Sequence, residues 1–146
     1  MNYADNPKAT FDYEILETLD AGLVLLGHEV KAIKTGKASI KGSFVKIFDD
    51  EAYLVGAQVA PYQVGNVPTD YDPQRTRKLL LKKSEVNYLL GKSQERGLTL
   101  IPLKLYAKNG LIKLSLGIAR GKKKYDKRET MKSRESKRKI ARALNG

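Results

Sequence analysis

Positive charge is the first chemistry this chain offers. Arg75, Arg77 and Lys78 lead into Leu79, Leu80 and Leu81, and Lys82 and Lys83 follow directly. The leucines are core candidates, and the cations around them form a basic rim of the kind that contacts phosphate oxygens. A second positive region runs from Arg120 to Gly146, where twelve Lys and Arg stand against three Asp and Glu, a net of +9 out of the chain's +12. The remaining 119 residues carry only +3. Such asymmetry describes an ordinary surface joined to a polycation, whose partner is a polyanion: nucleic acid first, an anionic membrane second. A solubilising tail is the bland alternative. Tyr125 lies among Lys122, Lys123, Lys124, Lys127 and Arg128, next to Asp126. An aromatic ring in such a setting can stack on a base while the cations meet phosphate.

Other chemistries have thin support. Cysteine is absent, which excludes disulfides and thiolate catalysis, and the single His28 cannot by itself make a zinc site. Without a nearby nucleophile or partnered acid, His28 reads as a cap or surface contact. Asp49, Asp50 and Glu51 lack the spaced oxygen ligands and the glycine of a calcium loop and read as a solvated hairpin turn. A nuclease would need a carboxylate cluster or a His/Lys pair convergent on phosphate, and no spacing supplies either. The expectation is a protein that is not an enzyme and needs no cofactor. No apolar run approaches the roughly 18 residues of a membrane span, and the N-terminus lacks the order of a signal peptide. A complete, cytoplasmic and monomeric chain is therefore expected.

The elements that must position the cations follow from periodicity. Residues 1–10 read as a loose lead-in containing Pro7. From Phe11 the alternation with Tyr13 and Ile15 predicts a strand, which resumes after a glycine bulge at Gly22 as Leu23–Leu26. Leu26, Val30 and Ile33 give a short helix ended by Gly36. Phe44–Phe48 and Ala52–Val59 form a hairpin, and residues 63–73, rich in Gly, Asn, Asp and Pro, form a long exposed loop. Ser84 is placed as the N-cap of a second helix that stops at Gly97.

Asn109-Gly110 is the preferred pair for a type I′ turn. Pairing outward matches Ala107 with Ile112, Leu105 with Leu114, Leu103 with Leu116 and Ile101 with Ile118, one apolar face throughout. Five or six strands broken by two to three helices suit a mainly β fold, a small antiparallel barrel of the oligonucleotide-binding (OB) type over residues 11–119. An open antiparallel sheet with helices on one face is the alternative. Residues 120–146 hold too few apolar side chains to offset ordering and read as disordered when free. Pairs such as Glu135 with Lys139 bias them toward helix, which predicts folding on binding.

In order and spacing, several stretches together resemble the SsrA-binding protein (small protein B) family. They are Asn6-Pro-Lys-Ala9, Ala21-Gly22, Gly27-His-Glu-Val-Lys31, Arg75-Thr-Arg-Lys-Leu-Leu-Leu81, Gly97-Leu-Thr-Leu-Ile-Pro-Leu-Lys-Leu-Tyr106, Lys108-Asn-Gly110 and Gly121-Lys-Lys-Lys-Tyr-Asp-Lys-Arg-Glu129. The likeness runs from about Asn6 to Arg138. It implies an OB-type barrel that binds the tRNA-like domain of transfer-messenger RNA (tmRNA) and delivers it to stalled ribosomes. It further implies RNA contacts at Asp20, Lys31, Arg75, Arg77, Lys78, Leu80 and Lys82. The basic tail, with Lys122, Lys123, Lys124, Tyr125, Asp126, Lys127 and Arg128, is implied to enter the empty message channel near the decoding centre and become helical there. Asp20 replaces the family's usual Glu, keeping charge but shortening reach, and Lys82 replaces His or Asn, keeping a donor and adding charge. A structural ribosomal protein whose tail threads rRNA is the competing reading.

Overall fold

The computed structural model describes residues 2–63, 65 and 67–122. Within them the chain runs β1 (Asn2–Asp5), α1 (Pro7–Asp12), β2 (Tyr13–Leu23), α2 (Gly27–Lys34), β3 (Ala38–Ser39), β4 (Phe44–Phe48), β5 (Glu51–Val55), β6 (Gln58–Val59), β7 (Arg77–Leu80), α3 (Lys83–Ser93), β8 (Leu98–Lys108) and β9 (Leu111–Gly121). The described residues are mainly β with three helices, as predicted. Seven strands form one antiparallel sheet in the order β1-β8-β9-β2-β7-β5-β4, and β3 and β6 pair separately.

The sheet does not close. The Cα traces of β4 and β8 approach within 8 Å, yet no ladder joins them among the described residues. β1 pairs with Lys104–Tyr106 along the β8 edge that faces away from β9. Residues expected as a loose lead-in are thus a strand and a helix. Pro7 stands in the first turn of α1, where its missing N–H costs no hydrogen bond. Phe11 and Asp12 belong to α1, so the first long strand begins at Tyr13 rather than Phe11. That strand bulges between Ile15 and Glu17, not at Gly22. Gly22 instead permits a close approach: a Cβ there would lie 3.2 Å from the Cβ of Leu80 on β7.

The β8–β9 hairpin turns on Asn109 and Gly110, both at positive φ, 52° and 76°. Ala107 pairs with Ile112 and Leu105 with Leu114, as predicted. Further out the register shifts between Pro102 and Lys104, so Leu116 faces Pro102 and Ile118 faces Leu100. The predicted pairs of Leu103 with Leu116 and Ile101 with Ile118 do not form. Pro102 has no N–H to give a ladder, and a strand accommodates such a residue by bulging. Asn6 takes up carbonyls exposed there, its side-chain amide donating to Pro102 at 2.9 Å and its backbone N–H to Leu103 at 3.0 Å.

The bulge divides the interior. Leu100, Leu105, Leu114, Leu116 and Ile118 enter the main core with Ile33, Ile40, Leu54 and Leu89. Ile101 and Ala119 meet Ala9 of α1 in a second, smaller cluster. Both faces of this part of the β8–β9 ladder are therefore buried.

Candidate nucleic-acid interface

Glu29 stands at the third position of α2 and does two jobs. Its Oε1 accepts the backbone N–H of Leu26 at 2.8 Å, satisfying a donor that a helix start leaves open. The helical period also places it beside Ala32 and Ile33 on the buried face, where it is fully enclosed. A carboxylate in such a place needs cations, and β7 with its approach supplies two. Arg77 is 1% exposed and reaches Glu29 Oε2 from Nε at 2.9 Å and from Nη2 at 2.6 Å. Its remaining donors meet the carbonyls of Ala57, Arg75 and Pro73 and the hydroxyl of Tyr71. Arg75 binds the same carboxylate through Nη2 and, at 3.0 Å, through Nε. Tyr71 donates to Glu29 Oε2 at 2.9 Å and lies 2.9 Å from the Val59 carbonyl. Burial alone would raise the Glu29 carboxyl, but the bonds from Arg75, the Leu26 N–H and Arg77 hold it down at about 2.

This network fixes β7 against α2, and the next residues of β7 turn outward into an open cleft of about 870 Å³. Lys78, Leu80 and Lys82 line it, with Asp20 on β2, Lys83 and Glu85 at the start of α3, and Lys108, Leu111 and Lys113 at the β8–β9 turn. Leu80 is 54% exposed and Leu111 60%, large apolar side chains at the rim of a basic surface. Lys78 Nζ is 2.8 Å from Glu51 Oε1, and that hydrogen bond raises the lysine and lowers the carboxyl from their ordinary values. Asp20 lies 3.7 Å from Lys108 Nζ. Burial and a hydrogen bond to Asp20 push the Tyr106 phenol up to about 12. Helix α3 is capped by Glu85, which accepts the Lys82 N–H at 2.9 Å; the N-cap is thus Lys82 rather than Ser84. That leaves the Lys82 side chain exposed at the cleft mouth.

Of the residues singled out in the sequence, the fold brings Asp20, Lys78, Leu80 and Lys82 to one cleft. It does not bring Arg77 there, because that side chain is inside the protein, nor Arg75, which is committed to Glu29. Lys31 is exposed on α2 beside His28 and Tyr62, away from the cleft. Lys122 bonds α1 through its N–H to Asp12 and its Nζ to Thr10. Lys123, Lys124, Tyr125, Asp126, Lys127 and Arg128, with the predicted disorder of the tail, lie outside the described residues. Sequence reasoning missed Glu29 and Tyr71. Glu29 was legible, since it falls at the i, i+3, i+4 spacing of Ala32 and Ile33. Tyr71 lay in a stretch read as exposed loop, yet it and buried Val67 tie that loop down.

A family model described as SmpB protein matches residues 3–146. The SsrA-binding protein of Geobacillus kaustophilus (strain HTA426) is 54% identical over 141 residues, covering 97% of this chain and 90% of that one. That of Thermosynechococcus vestitus (strain NIES-2133 / IAM M-273 / BP-1) is 50% identical over 141 residues, covering 97% and 93%. Among solved structures, a chain from "tmRNA-SmpB: a journey to the center of the bacterial ribosome" matches with a TM-score of 0.67 at 49% identity, over 82% of this chain and 84% of that one. With 97% of its length aligned at about half identity and its fold matching a solved member at a TM-score of 0.67, this chain belongs to the SmpB, or SsrA-binding protein, family.

Proposed function

We infer that this chain binds tmRNA and acts with it on the ribosome in trans-translation. The observation that carries the reading is the match, over more than four fifths of both chains, to the protein component of a tmRNA-SmpB ribosome structure. The cleft under β7 takes the tRNA-like domain: Lys78, Lys82, Lys83 and Lys113 meet phosphates, while Leu80 and Leu111 pack against sugar and base edges. Asp20 contributes an acceptor for a ribose or base donor. Arg75 and Arg77 serve from inside, by setting the position of β7. The approach of β4 to β8 supports reading the sheet as an opened OB-type barrel in which β1 occupies the closing edge. The tail, including Tyr125, occupies the empty message channel. No catalytic step is assigned to the protein, and its compartment is the cytoplasm.

The test is affinity for a transcript of the tRNA-like domain. Leu80→Ala and Lys82→Ala together should weaken it by more than tenfold without lowering thermal stability. A transcript held equally well by the double variant would move the RNA site elsewhere.

A further inference from the structure

Two of the chain's three phenylalanines are exposed. On β4 the side chains alternate, Val45 and Ile47 inward, Phe44, Lys46 and Phe48 outward. Phe44 is 47% exposed and Phe48 63%. Across the ladder, β5 sets Val55 opposite Phe44, Tyr53 opposite Lys46 and Glu51 opposite Phe48. Phe44, Lys46, Phe48, Tyr53, Val55 and Thr76 line a shallow depression of about 360 Å³. Lys46 Nζ lies 5.7 Å from the centre of the Phe48 ring, a cation held beside an aromatic face. The one acid in this row, Glu51, is already met by the Tyr53 hydroxyl at 2.8 Å and by Lys78 at 2.8 Å.

We propose that this face of the β4–β5 hairpin is a second RNA site, a stacking platform for two or three unpaired nucleotides. Same-face residues on a strand repeat at about 7 Å and neighbouring strands lie about 4.8 Å apart. Phe44, Tyr53 and Phe48 thus form a row of separate rings with a lysine between them, which suits successive splayed bases with phosphates alongside. A protein partner is disfavoured because docking surfaces have a continuous apolar centre with charge at the rim, and here a cation interrupts the rings. The platform also continues the cleft: Lys78 and Glu51 line the cleft, and Tyr53 is bonded to Glu51. A strand leaving the cleft along β7 would run onto it. The inference rests on the RNA-binding reading above and adds a surface to it.

The probe is an eight-nucleotide oligoadenylate with 2-aminopurine at its centre, bound to the full chain at high salt, where the polycationic tail is screened. Stacking on the platform should quench the fluorophore. Phe44→Ala with Phe48→Ala should remove the quench and weaken binding by about tenfold or more, whereas Phe44→Tyr with Phe48→Tyr, which keeps both rings, should retain both signals. Lys46→Gln should lower the salt slope by about one. If the double alanine variant binds and quenches like the wild-type chain, the platform is overturned, and so it is if that variant loses a protein contact with oligonucleotide binding unchanged. Binding of whole tmRNA by the wild-type chain is measured in parallel. Failure there would sink the reading on which the platform rests, while success there with an unaltered oligonucleotide signal in the variant would sink the platform alone.

Discussion

Arg77 places two nitrogens on one oxygen of Glu29, Nε at 2.9 Å and Nη2 at 2.6 Å, with neither side chain more than 1% exposed. The pair links the start of α2 to the start of β7, 48 residues apart in sequence. Arginine suits the place because its planar fork can serve a carboxylate and several carbonyls at once, which a lysine ammonium cannot.

Removing the Glu29 charge leaves Arg77 buried without its counter-ion, and removing that of Arg77 leaves Glu29 with Arg75 alone. Glu29→Gln and Arg77→Met should each destabilise the fold by about 3–5 kcal/mol, read by chemical denaturation. Their loss of RNA affinity should follow the folded fraction and vanish once that is corrected for.

Acid should act on the same pair. The folded Glu29 carboxyl lies at about 2 against an ordinary 4.5, a difference worth about 3 kcal/mol. A depressed carboxyl stabilises the fold fully above its unfolded value, and the contribution drains away as pH falls from about 4.5 toward 2. Stability measured between pH 5 and pH 2 should show this slope, and in Glu29→Gln the slope should be shallower.

The β4–β5 turn offers an improvement. Asp49 and Asp50 both sit at positive φ, 50° and 62°, so this is a type I′ turn with a carboxylate where glycine is preferred. Asp50→Gly should stabilise the protein by about 1 kcal/mol, a rise of about 4 °C in Tm. Because Asp50 also lines the cleft, the variant should hold RNA somewhat more tightly.

The tail should separate binding from rescue. Gly121 still pairs with Tyr13, and Lys122 donates to Asp12, so the cut belongs after Lys122. Residues 1–122 should bind tmRNA nearly as the full chain does and fail to support tagging in a reconstituted stalled-ribosome assay. Tyr125→Ala should impair tagging more than affinity, and equal losses in both would remove the proposed role of that ring.

Local signals were readable where one residue pair decides the geometry. Asn109-Gly110 announced its turn, and the two pairs next to it formed as predicted. Beyond them Pro102 decided the register, and its consequence depended on a segment 96 residues away, Asn6, which no period in β8 reveals. The arginines misled for a related reason. A basic residue before a leucine run reads as rim unless its acid is known, and the acid for Arg75 and Arg77 lies on α2. Leu80, read with its neighbours as core, is exposed instead, because alternation along β7 turns it to the side opposite Arg77 and Leu79.

The bulge at Leu103 bears on cooperativity. Helix α1 rests on the second face of the β8–β9 ladder through Ala9, Ile101 and Ala119, a small contact beside the main core, so it should open with a lower free energy than the main sheet. Amide exchange in α1 should be faster than in β9 near Leu116. Since Lys122 is tied to Thr10 and Asp12, such an opening would also release the root of the tail, making its anchorage the first thing the molecule loses and the last it regains.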